Sequence, residues 1–297
     1  MSVKATDLPL ISVIAPSYNQ GQFIETAIES ILSQKYPSFE CIAIDAGSTD
    51  ETHSILEGYR NRVKIVNAPG LKQSRVLNQG LALSHGDIIG FLNADDHYSE
   101  DTFSIVAKHF LERQDTDVIY GDFHIIDETG KRLLTHRELG FHHPSYLFLG
   151  QFISYPTVFL RRRAYLRVGE FDPSLDFAMD YDYWLRIARH GKIEHIPKLL
   201  ASFRWHPNSK GVLYERNARE ECRAVRKRYL EREGQISDSL LGFLYRAFFW
   251  VVYKVRRVFL KLIQGKYWTS LPQPIAFYLW KRRLKYLQNQ VSGGIQL

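Results

Sequence analysis

Two adjacent carboxylates, Asp95 and Asp96, follow an apolar run made of Ile88, Ile89, Gly90, Phe91 and Leu92. Such a run suits a buried strand, and the acids mark its carboxyl end. Ligands of open α/β sheets bind outside the carboxyl ends of the strands. Paired acids there can hold a divalent cation and, through it, a polyphosphate. The same acids would also start a helix, because carboxylates cap helices and fill their first turns. The pair alone leaves both readings open. A second acidic pair, Asp180 and Asp182, stands in front of Tyr183, Trp184 and Leu185, and from the residues alone it reads as a helix start.

The elements around Asp95 and Asp96 set them on a sheet edge. Residues 10–15 form a short apolar strand that runs into Pro16, Ser17, Tyr18, Asn19, Gln20 and Gly21, a turn composition. Residues 23–34 carry Phe23, Ala27, Ile28, Ile31 and Leu32 at helical spacing, and Pro37 follows. Residues 41–44 repeat the strand and end at Asp45; Ser48 and Glu51 then have capping-box spacing for a helix to about residue 59. A third strand at 63–66 and a helix at 73–84 complete the pattern. Strands alternating with helices of this length predict an α/β fold, a mostly parallel sheet with helices on both faces. The strand ends at Ser17 to Asn19, Asp45, Asn67 and Asp95 then converge on one edge. Past a helix at 101–112 the pattern changes, because residues 118–126, a turn at 127–130 and residues 132–135 read as a hairpin. The second half is therefore mixed, with a strand at 156–160, helices at 161–168 and 180–189, a strand ending at 203–206 and a charged helix at 214–233. No Gly-x-Gly-x-x-Gly and no Walker lysine follows the first strand, which excludes the usual dinucleotide and P-loop sites.

The chain has 297 residues, 45% hydrophobic and 24% charged, enough for a sizeable core. Its two cysteines, Cys41 and Cys222, exclude a disulfide scaffold and a cysteine-based zinc site. The first ten residues have no apolar h-region, so a cytoplasmic protein is expected. Charge is split along the chain: residues 240–297 hold ten of the 39 basic groups and none of the 32 acidic ones. On a helical wheel, residues 240–264 place Arg246, Lys254, Arg257 and Lys261 on one arc and Phe248, Val251, Val255 and Phe259 on the other. Five basic groups at ~2.5 to 3.5 kcal/mol each near a bilayer centre outweigh the apolar residues at ~0.3 to 0.6, so this helix does not span. The expected arrangement is a catalytic or binding domain at 1–212, its halves dividing near 120, and a basic helical region at 213–297. That region is expected to lie on an anionic membrane surface through residues 240–285, helped by Trp268, Tyr278 and Trp280, with the protein peripheral on the inner face. Nucleic acid is not expected, since the aromatic residues belong to an apolar face rather than to an RNA-binding motif.

Six motifs in order carry a resemblance. They are Ala15-Pro16-Ser17-Tyr18-Asn19, Asp45-Ala46-Gly47-Ser48-Thr49-Asp50, Leu77-Asn78-Gln79-Gly80, Gly86-Asp87-Ile88-Ile89, Asn93-Ala94-Asp95-Asp96 and Asp180-Tyr181-Asp182-Tyr183-Trp184-Leu185-Arg186. Across residues 9–210 the chain resembles the GT-A nucleotide-sugar glycosyltransferases of the inverting family 2 group that build bacterial surface polysaccharide. The resemblance implies a Rossmann-like sheet, a nucleoside-diphosphate sugar donor, a glycan or lipid-linked acceptor, and Mg²⁺ or Mn²⁺. It implies Asp96 on the cation, with Asp95 on the ribose or sharing the cation, and His206 near the cation or diphosphate. Pro16, Ser17, Tyr18, Asn19, Asp45 and Asn78 would serve the donor nucleotide, and Asp180 would be the base, with Asp182 in reserve. Ala46 departs from the second acid that many relatives place against uracil, which weakens a UDP-sugar assignment. Two other classes are a nucleotidyltransferase, which lacks the expected Gly-rich phosphate loop here, and a silent sugar-nucleotide-binding or membrane scaffold.

Overall fold

A computed structural model describes residues 8–232 and 240–263. Strand β1 (Ile11–Ser17) is buried throughout and alternates between two cores: Val13 and Ala15 pack on one face of the sheet, Ile14 on the other. Helix α1 (Ile24–Leu32) buries Ile24, Ala27, Ile28, Ile31 and Leu32, the spacing expected of one helical face. Strand β2 (Phe39–Asp45), helix α2 (Thr52–Glu57), strand β3 (Lys64–Asn67), helix α3 (Gln73–Leu83) and strand β4 (Ile88–Phe91) continue the alternation. Strands β1 to β4 pair in parallel in the order β3-β2-β1-β4. Gly80 lets α3 sit close on the sheet, because a Cβ there would come within 2.4 Å of the Ile14 side chain. The capping box expected at α2 does not form. The Ser48 hydroxyl turns back to Asp45 at 2.5 Å, satisfying a buried carboxylate at the strand end, and Asp50 instead accepts from the first helical N–H, that of Thr52, at 3.0 Å.

Beyond β4 the sheet becomes mixed. Strand β5 (His97–Tyr98), helix α4 (Thr102–Glu112), strands β6 (Val118–Ile126) and β7 (Arg132–His136), helix α5 (His143–Leu149), strand β8 (Phe159–Arg161), helices α6 (Arg162–Val168) and α7 (Met179–Ala188) and strand β9 (Ile193–Arg204) follow. Among the described residues nine strands form one sheet, in which β8 bridges β4 and β6 antiparallel and β9 lies parallel to β6. A short helix α8 (Lys210–Leu213) leads to α9 (Glu215–Arg232), which buries Val225, Tyr229 and Leu230 in the core that holds Trp184.

Helix α10 (Leu240–Ile263) packs on α5, with the Phe249 and Tyr253 rings 5.6 and 5.5 Å from that of Phe148. Its amphipathic character is as expected; its seating is set by the aromatic and basic side. Tyr253, Arg257 and Lys261 turn to the protein, while Leu244, Phe248, Val251, Val255, Phe259 and Leu262 are each between 41% and 62% exposed. No helix among the described residues is long and apolar enough to cross a membrane. Trp268, Tyr278, Trp280 and the basic residues after 263 lie outside the described residues, as do residues 1–7.

Candidate active site

The carboxyl ends of the parallel strands open into one cleft of about 1720 Å³. That exceeds the 300 to 1,000 Å³ or so of an ordinary small-molecule site, so two substrates have room side by side. Pro16, Ser17, Tyr18 and Asn19 form one rim, Tyr18 being 58% exposed. This rim is held rigid. Asn19, at φ +50°, accepts from the Thr49 N–H at 2.8 Å, and its own N–H donates to Ser48 at 2.9 Å. Gln20 and Gly21 donate to Thr52 and Asp50 at 2.7 and 2.9 Å. Gly47 has φ +91° and approaches Pro69 so closely that a Cβ would lie 3.0 Å from it, so the loop after β2 needs glycine there.

Asp45 lies beneath the rim. It is buried, accepts from Ser48, and stands 3.5 Å from His53, while Ala46 and Gly47 line the cleft. Asn78, expected at the donor pocket, is occupied elsewhere: its amide exchanges two hydrogen bonds with the Phe171 backbone, at 2.9 and 2.8 Å, and pins the loop before α7. It is buried and is not among the residues that line the cleft.

The Asp95–Asp96 pair has the reverse orientation of the one implied. Asp95 lines the cleft, and its Oδ2 lies 3.1 Å from Nε2 of His206. Asp96 is buried behind it, accepting from the Arg204 N–H at 2.9 Å and from the Asn93 amide at 3.3 Å. Burial, and then the charge of Asp95, push the Asp96 carboxyl well above the ordinary range. Arg204 locks this turn, donating to the Asp95 carbonyl at 2.9 Å and to the carbonyls of Asp127 and Glu128 while stacking 4.7 Å from the Phe23 ring. Asp95 and His206 are oxygen and nitrogen donors on a cleft wall next to a second acid, and their chemistry fits a divalent cation. Among the described residues no group of three or more His, Cys, Asp or Glu converges as a ligand set. Mg²⁺-type sites use one or two carboxylates and take their other oxygens from substrate phosphates and water, and Asp95 would be the carboxylate of such a site.

Asp180 also faces this cleft, in the first turn of α7. Its Oδ2 accepts from the Gln151 side-chain amide and its Oδ1 from the Tyr181 N–H at 2.7 Å. Burial pushes this carboxyl up to about 6, against the opposing hydrogen bonds of Tyr181 and Gln151 and the charge of Lys210. Asp182, the reserve base, points away into the core, where it pairs with Arg186 at 2.8 Å and with Arg228. The helical turn separates the two acids, one to the cleft and one to the interior.

Four residues were not singled out from the sequence. Gln151 holds Asp180 from a stretch with no periodicity. Lys210 donates to Gln73 at 3.2 Å and to the Asp176 carbonyl at 2.6 Å at the cleft mouth; its place four residues after His206 was its one signal. Glu221 on α9 accepts from the N–H groups of Asp176, Phe177 and Ala178, which cap α7 from outside. Glu138 is 1% exposed in the cleft wall, between His136, Arg257 and Lys261.

Residues 12–169 match the family model described as Glycosyl transferase family 2, more than half of the chain. The chain belongs to glycosyltransferase family 2. This family 2 chain is 28% identical over 258 residues to an uncharacterized glycosyltransferase of Rickettsia felis, a match covering 80% of it and 42% of that relative. It is 26% identical over 199 residues to the chondroitin synthase of Pasteurella multocida, covering 65% of this chain and 20% of that enzyme. It thus spans less than half the length of these relatives. The mannosyltransferase PcManGT from Pyrobaculum calidifontis, solved in complex with GDP-Man and Mn²⁺, matches its fold with a TM-score of 0.59 at 17% identity, covering 98% of this chain and 84% of that one. The mixed sheet with flanking helices is a GT-A-like α/β fold.

Proposed function

We propose that this glycosyltransferase moves a sugar, with inversion, from a nucleoside-diphosphate sugar to a hydroxyl of a glycan or lipid-linked acceptor in surface polysaccharide synthesis. The observation that carries the reading is the shared cleft: a buried carboxyl raised to about 6, Asp180, opens into the same space as Asp95 and His206. The nucleotide lies along Pro16, Ser17, Tyr18 and Asn19, with its diphosphate toward Asp95, His206 and Lys210. Asp180 takes the proton of the acceptor hydroxyl as its oxygen bonds to the anomeric carbon. The bond from that carbon to the diphosphate oxygen breaks, and the electron pair leaves with the nucleoside diphosphate. Asp95 and His206 would hold a divalent cation, which supplies charge neutralisation for the leaving diphosphate. The Mn²⁺ complex of the Pyrobaculum mannosyltransferase supports the cation, and the chondroitin synthase likeness supports a polysaccharide product.

The outward face of α10 lies in the surface of an anionic membrane on the cytoplasmic side. Its exposed apolar residues and the excess of basic groups after residue 240 support this. A donor hydrolysis screen with UDP-, GDP- and dTDP-sugars and Mn²⁺, alongside calorimetry of the matching nucleoside diphosphates, tests the proposal. Metal-dependent turnover of one nucleotide class is expected; no nucleotide binding and no hydrolysis would overturn it.

A further inference from the structure

The side of α10 that faces the protein brings cations into the cleft. Arg257, Val258 and Lys261 line it together with His136, Glu138 and Phe152. The Arg257 guanidinium lies 4.0 Å above the Phe152 ring and donates to Glu138, while the Lys261 ammonium is 3.5 Å from the other oxygen of that carboxylate. Burial would raise the Glu138 carboxyl, but the His136 hydrogen bond and the charges of Arg257 and Lys261 outweigh it and hold the group well below the usual range. Glu138 is therefore ionised at any working pH. It serves as a fixed arm that orients a planar guanidinium, whose five N–H groups exceed what one carboxylate oxygen takes.

The position of this cluster relates it to the chemistry. Gln151 touches Asp180 and its neighbour Phe152 carries Arg257, so two residues with Cα atoms about 3.8 Å apart connect the base to the cations. The donor rim of residues 16–19 and the Asp95–His206 pair come from other strand ends of the cleft. Leu244, Phe248, Val251, Val255, Phe259 and Leu262 recur at three- and four-residue spacing on the opposite, exposed side of the helix. One helix thus offers an apolar face outward and cations inward, the geometry of a molecule whose hydrocarbon is in the bilayer and whose anionic head enters the cleft.

We propose that Arg257 and Lys261 bind the phosphate group of a phosphorylated lipid acceptor, presenting its hydroxyl to Asp180. This deepens the acceptor side of the proposed function and rests on it. Farnesyl diphosphate is the probe, with calorimetry on the full chain. Arg257→Gln is expected to weaken its binding about tenfold or more, since a charge-assisted fork is lost. Glu138→Gln is expected to tighten it several-fold, because a competing carboxylate is removed while both cations stay. This opposite sign cannot come from misfolding, and it keeps the test sound should the arginine variant fail to fold. Unchanged binding in both variants, or weaker binding in Glu138→Gln, would overturn the site. Inorganic pyrophosphate is expected to bind at least tenfold more weakly than the lipid; equal affinity would overturn the lipid assignment. Nucleoside diphosphate binding with Mn²⁺ is measured in parallel on the wild-type chain. Donor binding without farnesyl diphosphate binding sinks this inference alone, and loss of both sinks the glycosyltransferase reading beneath it.

Discussion

Replacing Asp180 by asparagine separates a catalytic base from a structural acid, because the two roles predict opposite changes in stability. Burial pushes this carboxyl from 3.8 to about 6 in the folded chain, a difference of about 3 kcal/mol between its protonated and ionised forms. The native carboxyl holds its proton more tightly than the unfolded one. The resulting penalty on the fold is absent below the unfolded value of 3.8 and complete above about 6. Asp180→Asn removes the buried charge, keeps an oxygen for the Tyr181 N–H while the Gln151 amide turns over to accept from the new NH2, and so raises the thermal midpoint at pH 8 but not at pH 4. Turnover moves the other way. A positioned base contributes roughly 10² to 10⁴ in rate, and kcat falls by about that factor while nucleotide binding, measured by calorimetry, is retained. The wild-type rate rises with pH and levels off above about 6, since the base must be ionised; the variant shows no such limb. Unchanged turnover would refute the reasoning, as would a lowered midpoint at pH 8 together with lost nucleotide binding.

The orientation of the acidic pair predicts that Asp95→Asn and His206→Ala each weaken Mn²⁺ binding, read by calorimetry with a nucleoside diphosphate. Asp96→Asn should instead alter thermal stability and leave Mn²⁺ affinity within about threefold, since its carboxylate serves Arg204 and Asn93. Glu221→Ala strips the acceptor from three N–H groups at the start of α7; a cost of roughly 1 to 2 kcal/mol in denaturant melts is expected, with kcat falling more than KM changes. Phe259→Glu, on a residue 59% exposed, should leave the melt unchanged and lower binding to anionic vesicles about tenfold or more in a flotation assay.

The first half of the fold was legible because its central strands are buried along their length and its longer helices bury one regular face. The apolar spacing of α1 and the runs of β1 and β4 allow one structural reading each, and the strand ends follow from them. The orientation of single side chains was not legible. Asp95 and Asp96 are chemically identical neighbours, and which of them faces the cleft is decided by an arginine backbone N–H more than a hundred residues later. Asp180 and Asp182 stand two residues apart, about half a turn of one helix, and so face opposite ways. Asn78 was spaced for a donor contact, yet a loop 93 residues away claims both ends of its amide. In each case a long-range partner, invisible to local pattern, competes with the ligand for the same donors and acceptors.

Helix α10 shows the same limit with a functional consequence. Its wheel separates apolar from basic residues, and an apolar stripe on a globular protein ordinarily faces the core. Here the stripe is outside, because the inward side provides more: Phe249 and Tyr253 meet Phe148, and Arg257 and Lys261 meet a carboxylate that is itself 1% exposed. Turning the helix over would bury the apolar stripe but leave Glu138 ionised in the wall without its cations, a cost of about 3 to 5 kcal/mol for an uncompensated buried charge, and would separate Phe249 and Tyr253 from Phe148. The exposed stripe is therefore a consequence of where the cleft needs its charge. That couples two properties usually argued separately: the seating of α10 on Phe148 and Phe152 sets both the cations it brings to the cleft and the apolar face it leaves outside.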